Sequence, residues 1–253
     1  MTLRDGLGEI LKFDQPPKRV ISLVPSITEW LVDVRVDVIG RTKFCIHPKA
    51  AVQSIPLVGG TKNFRFDTIK ELNPDLIIGN KEENYQEGID LLKKDFNVWM
   101  TEIGSFQESI TCFDQLSTCL EVRENWGVLR DKLNHQYRLH IDKDKGTVVY
   151  LIWQKPYMAI GDNTFVNSML SDFGYKNLIK TDRYPEVTME EVIRLNPDFL
   201  LLSSEPYPFK QKHVEELQSQ LKSSTVKLVN GEYYSWYGTR LLKLREDQVT
   251  GEY

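Results

Sequence analysis

The sequence predicts an α/β fold built as two lobes with parallel sheets, and three observations carry that prediction. A helix-and-strand motif occurs twice, an apolar strand pattern precedes each copy, and one long amphipathic segment lies between the two sets. The length of 253 residues permits one large or two small domains, because single cores stop growing near ~250–300 residues. The expected partition is an N-terminal α/β lobe over 1–105, a helical connector over 106–144 and a C-terminal α/β lobe over 145–253.

The first core strand is Arg19-Val-Ile-Ser-Leu-Val24, a continuous apolar run of the kind a sheet covered on both faces requires. Pro25-Ser26-Ile27-Thr28-Glu29 follows, with Ser26 and Glu29 at capping-box spacing ahead of Trp30 and Leu31. Further strands are expected around Val36–Gly40 and Val98–Thr101. Between them stands the first copy of the repeat, Thr68-Ile-Lys-Glu-Leu-Asn-Pro-Asp-Leu-Ile-Ile78. The second copy, Glu191-Val-Ile-Arg-Leu-Asn-Pro-Asp-Phe-Leu-Leu201, begins 123 positions later. Each reads as an amphipathic helix stopped at Asn-Pro, since the residue before proline is pushed out of the helical region. A short apolar strand then begins, with Asp75 and Asp198 leading into the first and second of these strands. The C-terminal half repeats the rest of the scheme: a strand at Thr147–Trp153, a helix at Phe165–Phe173 and a strand at Val226–Asn230.

The connector has a different texture. Gln107–Cys119 carries Ile110, Phe113, Leu116 and Leu120 on one helical stripe, and the stretch to Asn125 breaks it. Trp126, Leu129, Leu133 and Tyr137 then recur at three- and four-residue steps, which predicts a helix from about Glu124 to Lys143. At ~1.5 Å per residue it would be ~30 Å long, enough to span two lobes.

Composition excludes several classes. Thirty-two Lys and Arg against 36 Asp and Glu give a net charge of −4, with no basic run. Phosphate neutralisation needs clustered cations, so no nucleic-acid partner is expected. A mean hydropathy of −0.38, with no run of ~18 apolar residues, excludes a membrane span. Cys45, Cys112 and Cys119 are an odd set without zinc-type spacing and read as reduced, buried or half-buried thiols. Met1 to Arg19 holds no apolar core of ~7–15 residues, which a signal peptide needs.

Catalytic signatures are absent. Gly59-Gly-Thr-Lys62 lacks phosphate-loop spacing, no GxGxxG follows the first strand, and neither GxSxG nor HExxH occurs. His135 and His140, five apart on one helix, do not share a face for metal ligation. No hydrolase can be argued from these residues.

Order and spacing together make the sequence resemble the class III, helical-backbone substrate-binding proteins of ABC importers. The motifs are Arg19–Glu29, Val58-Gly-Gly60 followed by Phe66–Ile78, and Val187–Asp198. His47-Pro48, Gln154-Lys-Pro156 and Arg183-Tyr-Pro185 are most similar to the cobalamin-binding members. The resemblance implies two Rossmann-like α/β lobes with parallel sheets joined by one long backbone α-helix. It also implies a ligand held between the lobes: cobalamin, haem or a ferric siderophore. On this family resemblance the chain is expected to be no enzyme. No intrinsic cofactor is expected, and the protein is expected to be a monomer.

Positions matching the family's ligand loops are Phe44, His47, Thr61, Trp153, Tyr157, Arg183, Tyr184, Trp236 and Tyr237. Aromatic rings suit a flat or bulky ligand because they bury much area with few torsions to freeze; each has core filling as its alternative role. Arg183 or Arg240 can meet a carboxylate or phosphate bidentately. His47 is the candidate axial ligand of a metal inside a bound macrocycle. The resemblance further implies one carboxylate on each lobe that docks on permease arginines, namely Asp67 and Glu190, with Glu191 an adjacent rival. Both stand in the first turn of a repeat helix, where a negative charge also suits the helix dipole. Thr61 stands where cobalamin binders often carry tryptophan, and the glycine-rich turn after the first helix is replaced by Val34-Arg-Val-Asp37. The family location is periplasmic, whereas the missing leader implies a cytoplasmic protein if the chain is complete. A cytoplasmic protein or enzyme that handles corrinoids or metal chelates without a transporter is the alternative reading.

Overall fold

The computed structural model describes residues 1–141 and 144–243. The chain divides into two compact units. Met1–Ile103, Gln107–Leu133 and Tyr237–Arg240 form the first; Gly104–Phe106, Asn134–Trp236 and the described residues from Leu241 form the second.

The first unit opens with a hairpin, β1 (Thr2–Arg4) and β2 (Ile10–Lys12), which no sequence pattern signals. Buried Asp5 anchors it, accepting from the backbone N–H of Leu7, Glu9 and Met100. There follow β3 (Val20–Ser22), α1 (Pro25–Asp33), β4 (Val38–Arg41), α2 (Lys49–Val52), β5 (Gly59–Gly60), β6 (Asn63–Phe64) and α3 (Phe66–Leu72). Next come β7 (Leu76–Asn80), α4 (Gln86–Leu92) and β8 (Val98–Thr101). The strands β4-β3-β7-β8 form an all-parallel sheet. Ile21, Leu23, Ile69, Ile77 and Met100 make part of the core on it.

Helix α1 departs from the expected capping box. It starts at Pro25 after the extended Val24, so Ser26 and Glu29 lie inside the helix rather than at its cap. Proline fits the first helical position because an N–H there has no helical partner to lose. Glu29 is wholly buried and pairs with Arg240, the carboxylate Oε2 lying 2.9 Å from the guanidinium Nε.

The connecting segment is α5 (Phe106–Cys119) and α6 (Arg123–His140), separated at Glu121, which adopts φ 56°. Residues of α6 up to Leu133 belong to the first unit and those from Asn134 to the second. Lys143, the expected helix end, lies outside the described residues. Within the first unit, the rings of Trp30 and Phe113 stack at 4.6 Å, and Trp126 meets Trp30 edge-on at 5.8 Å. Trp126 Nε1 donates to Asp114 Oδ1 at 2.7 Å, so the indole is buried with its polar atom paired.

The second unit contains β9 (Gly146–Trp153), β10 (Tyr157–Ala159), α7 (Phe165–Asp172), β11 (Tyr175–Asn177), β12 (Glu186–Val187) and α8 (Met189–Leu195). It continues with β13 (Phe199–Ser203), α9 (Gln211–Gln220), β14 (Thr225–Val229) and α10 (Glu232–Ser235). A 3₁₀ turn over Gly238–Lys243 ends the described chain. Strands β9, β13 and β14 are parallel, and β11 runs parallel to the start of β9. Strand β10 pairs antiparallel with the last residues of β9, and β12 pairs antiparallel with β10 at the sheet's edge. Val149, Leu151, Val192, Leu200, Leu202 and Val226 form much of its core.

The repeat is structural down to the hydrogen bond. Asn73 and Asn196 end α3 and α8 in the left-handed region, at φ 43° and 47°, a conformation asparagine tolerates. The aspartate after each proline then fastens to the start of the neighbouring strand. Asp75 Oδ2 accepts from the backbone N–H of Lys18 and Arg19, both at 2.9 Å. Asp198 Oδ2 accepts from the backbone N–H and the hydroxyl of Thr147.

Candidate ligand-binding site

Of the candidate residues, Phe44 and His47 follow the carboxyl end of β4 and Trp153 stands at that of β9, the ends at which open parallel sheets hold ligands. In the first unit, Phe44 is 47% exposed on the loop after β4, with the Lys43 ammonium 5.0 Å over its ring. Lys43 N–H donates to Gly59 O at 2.9 Å, tying this loop to the β5–β6 hairpin that carries Thr61. The approach is close: a β-carbon on Gly60 would stand 3.5 Å from the Phe44 ring and 3.4 Å from the Lys43 stem. Phe44 and Thr61 are thereby brought together. His47 is half-buried further along the same loop.

A buried amide network that sequence reasoning missed holds this face. Asn84 Nδ2 donates to Thr61 O at 3.2 Å, and Asn84 Oδ1 accepts from Asn80 N–H at 2.8 Å. Asn80 Nδ2 reaches Thr101 Oγ1 at 3.2 Å and the Tyr237 hydroxyl at 3.3 Å. Tyr237 is buried, and burial pushes its phenol well up from the ordinary tyrosine range. Arg240 is also buried, its guanidinium engaged with Glu29. Within the first unit, then, Phe44, His47 and Thr61 lie at the surface or part-way to it, whereas Tyr237 and Arg240 lie inside.

In the second unit, Trp153 ends β9 and is 40% exposed, packing edge-on against Tyr207 at 5.6 Å. Tyr157 opens β10 and is half-buried. It stands opposite Val187, and the antiparallel register runs on through Met158 and Glu186 to Gly161, whose N–H bonds Arg183 O, so the Arg183–Tyr184 loop lies at the other end of β10 from Tyr157. Arg183 has φ 62°, a left-handed conformation that non-glycine residues rarely keep. Two backbone bonds hold it there: its N–H to Asp162 O and its carbonyl from Gly161 N–H, each at 2.8 Å. Its guanidinium lies 6.0 Å from the Tyr184 ring. Backbone strain maintained by its surroundings is typical of functional positions. Trp236 is 8% exposed, and its indole N–H donates to Glu205 Oε1 at 3.0 Å.

The two carboxylates of the repeat helices are both exposed in their first turns, Asp67 on α3 and Glu190 on α8. Glu191 has another task. Its Oε2 accepts from Thr188 N–H at 2.8 Å while its own N–H donates to Thr188 Oγ1 at 3.2 Å, closing the capping box of α8. Among the described residues, no group of three His, Cys, Asp or Glu is placed to hold a metal ion, and no helix is long and apolar enough to cross a membrane.

An all-parallel sheet, a second sheet with a parallel centre, and a helix whose residues divide between the two units define the class of helical-backbone substrate-binding proteins. A family model described as periplasmic binding protein matches residues 20–226, and the chain belongs to that family. An uncharacterised ABC transporter substrate-binding lipoprotein, YvrC of Bacillus subtilis, is 23% identical over 243 residues, covering 90% of this chain and 76% of the relative. The vitamin B12-binding protein of Vibrio campbellii is 22% identical over 204 residues, covering 74% of this chain and 71% of that one. Among solved structures, the periplasmic vitamin B12 binding protein BtuF of Vibrio cholerae superposes with a TM-score of 0.76 at 19% identity, over 90% of this chain and 93% of that one. A periplasmic haem-binding protein from Pseudomonas aeruginosa gives 0.73 at 18%, over 89% and 88%.

Proposed function

We propose that this protein is the substrate-binding component of an ABC importer and that its ligand is a metal-bearing macrocycle or chelate: cobalamin, haem or a ferric siderophore. The observation that carries the reading is Trp153, a large aromatic 40% exposed at the carboxyl end of the central strand β9, with Tyr207 edge-on against it and Tyr157 on the neighbouring strand. Phe44, His47 and Thr61 offer the corresponding loops of the first unit. Flat rings supply area, Arg183 a bidentate donor for carboxylate or phosphate, and His47 a nitrogen for an axial position on the metal. The metal travels inside the ligand, so the protein itself needs no catalytic group. Asp67 and Glu190 are the carboxylates that meet permease arginines in this reading; Glu191 is engaged in its helix cap and does not compete. Vitamin B12 and haem in the names of similar proteins support the ligand class.

Titration of the protein with cyanocobalamin, haemin and a ferric hydroxamate, followed by tryptophan emission and ligand absorbance, tests the reading. Saturable binding of one of them, weakened by Trp153→Ala, is expected; no binding of any sinks it.

A further inference from the structure

Beside Trp153 two phenols and one amide form a directed chain. The Tyr207 hydroxyl donates to Gln154 Oε1 at 2.8 Å, and Gln154 Nε2 donates to the Tyr157 hydroxyl oxygen at 3.3 Å. An amide has a donor end and an acceptor end, so once Tyr207 occupies the oxygen the NH₂ turns toward Tyr157. The Tyr157 oxygen is then an acceptor within the protein. Its own O–H proton is given to no group among the described residues, and it remains for something outside.

The same chain fixes the aromatic face. Tyr207 lies on the loop after β13, its backbone N–H bonded to Ile152 O at 3.2 Å. Its ring packs edge-on with Trp153 at 5.6 Å, Phe209 at 4.7 Å and His213 at 5.8 Å. The rings of Tyr157 and Tyr207 both pack against the core of the second unit. Such groups lose little freedom when a ligand arrives, and that lowers the cost of binding.

We propose that Tyr207 and Gln154 are positioning residues that present Tyr157 as a hydrogen-bond donor beside the exposed face of Trp153. The structure thereby selects, within the ligand class proposed above and resting on that reading, ligands that carry a hydrogen-bond acceptor at the rim of a flat ring system. Carboxylate and amide side chains on a macrocycle have this chemistry. Lys155, exposed between Gln154 and Tyr157 in sequence, favours an anionic acceptor over a neutral one.

A double-mutant cycle tests the chain, because Tyr207→Phe deletes one hydroxyl and keeps the ring against Trp153. The probes are haemin, whose rim carries carboxylates, and cyanocobalamin, whose rim carries amides. Tyr157→Phe is expected to weaken the bound probe by roughly 3- to 10-fold, the range of one net hydrogen bond. Tyr207→Phe in the otherwise native protein should weaken it in the same direction, and should change nothing once Tyr157 is already phenylalanine. A role for Tyr207 in stability alone would give the same loss in both backgrounds, and that result overturns the chain while leaving the transport reading intact. Unchanged affinity in Tyr157→Phe overturns it as well. If the native protein binds neither probe nor a ferric hydroxamate, the transport reading falls and this inference falls with it.

Discussion

Asp198 Oδ2 accepts two hydrogen bonds from Thr147, one from its backbone N–H and one from its hydroxyl, each 2.7 Å long. Both bonds favour the ionised carboxylate and hold its pKa below the usual aspartate range. A group whose folded pKa is depressed contributes stability above its unfolded value, near ~3.9, and loses it as the pH falls through the folded value. Asp198→Asn should therefore lower the melting temperature at pH 7, and the difference from the native protein should shrink steadily toward pH 3. Thermal melts across that range check the sign; a difference that grows on acidification contradicts it.

The buried pair of Glu29 and Arg240 gives a stability prediction in which one change is worse than two. Arg240→Met leaves a buried carboxylate without its counter-charge and is expected to cost about 3–5 kcal/mol. Combining it with Glu29→Leu should recover much of that loss, because neither charge then has to be desolvated. Urea unfolding of the two single variants and the double variant measures the recovery.

Two glycines should respond oppositely to alanine. Gly127 is helical within α6 and has nothing within 4 Å of a β-carbon added there. Gly127→Ala should raise stability by about 0.5–1 kcal/mol through helix propensity and unfolded-state entropy. Gly238 has φ 83°, and an added β-carbon would meet the Phe113 ring at 2.9 Å. Gly238→Ala should lower stability by about 1–3 kcal/mol. Denaturant midpoints at constant slope settle both.

The thiols should be silent. Burial pushes Cys112 and Cys119 up to about 12 and also raises Cys45, whose sulfur lies 3.2 Å from the Thr42 hydroxyl. At pH 8 the reactive thiolate of the first two is then on the order of 0.01%. Ellman's reagent should label none of the three in minutes under native conditions, and all three in guanidinium chloride.

Asp67→Lys and Glu190→Lys, both at exposed positions, should leave ligand affinity within about twofold if the two carboxylates serve docking rather than binding. They should abolish stimulation of the cognate transporter's ATPase by the loaded protein, because a cation would face permease arginines. Normal stimulation by both variants refutes the docking role.

Much of this architecture was legible because it is written locally. Asn73-Pro74-Asp75 and Asn196-Pro197-Asp198 spell out a helix stop, a left-handed turn and a strand tie within a few residues each, and the apolar runs of β7 and β13 follow directly. Val98–Thr101 was likewise readable as a bounded apolar run. The hairpin of β1 and β2 was not, since it is held by Asp5 reaching Met100, a bond between residues far apart in sequence. Ser26 and Glu29 mimic a capping box by spacing, yet Arg240, more than two hundred residues on, decides what Glu29 does. The candidate site divides in the same way. Trp153 sits where a strand ends, a position that pattern reveals, whereas Tyr157 opens the short strand β10, which no apolar run announces. Whether Trp236, Tyr237 and Arg240 point outward depends on how the last described segment packs, and spacing carries no such information. Tyr207 had a usable signal, since it follows the apolar strand Phe199–Ser203 just as the Trp153 loop completes β9.

The assignment of Tyr237–Arg240 to the first unit has a practical result for anyone dissecting the molecule. No single cut yields the first unit whole. A fragment ending at Leu133 would keep Glu29 and Asn80 but discard Arg240 and the Tyr237 hydroxyl that they bind. Swapping either unit of this chain for a foreign one would meet the same obstacle unless the Tyr237–Arg240 segment travelled with the first unit.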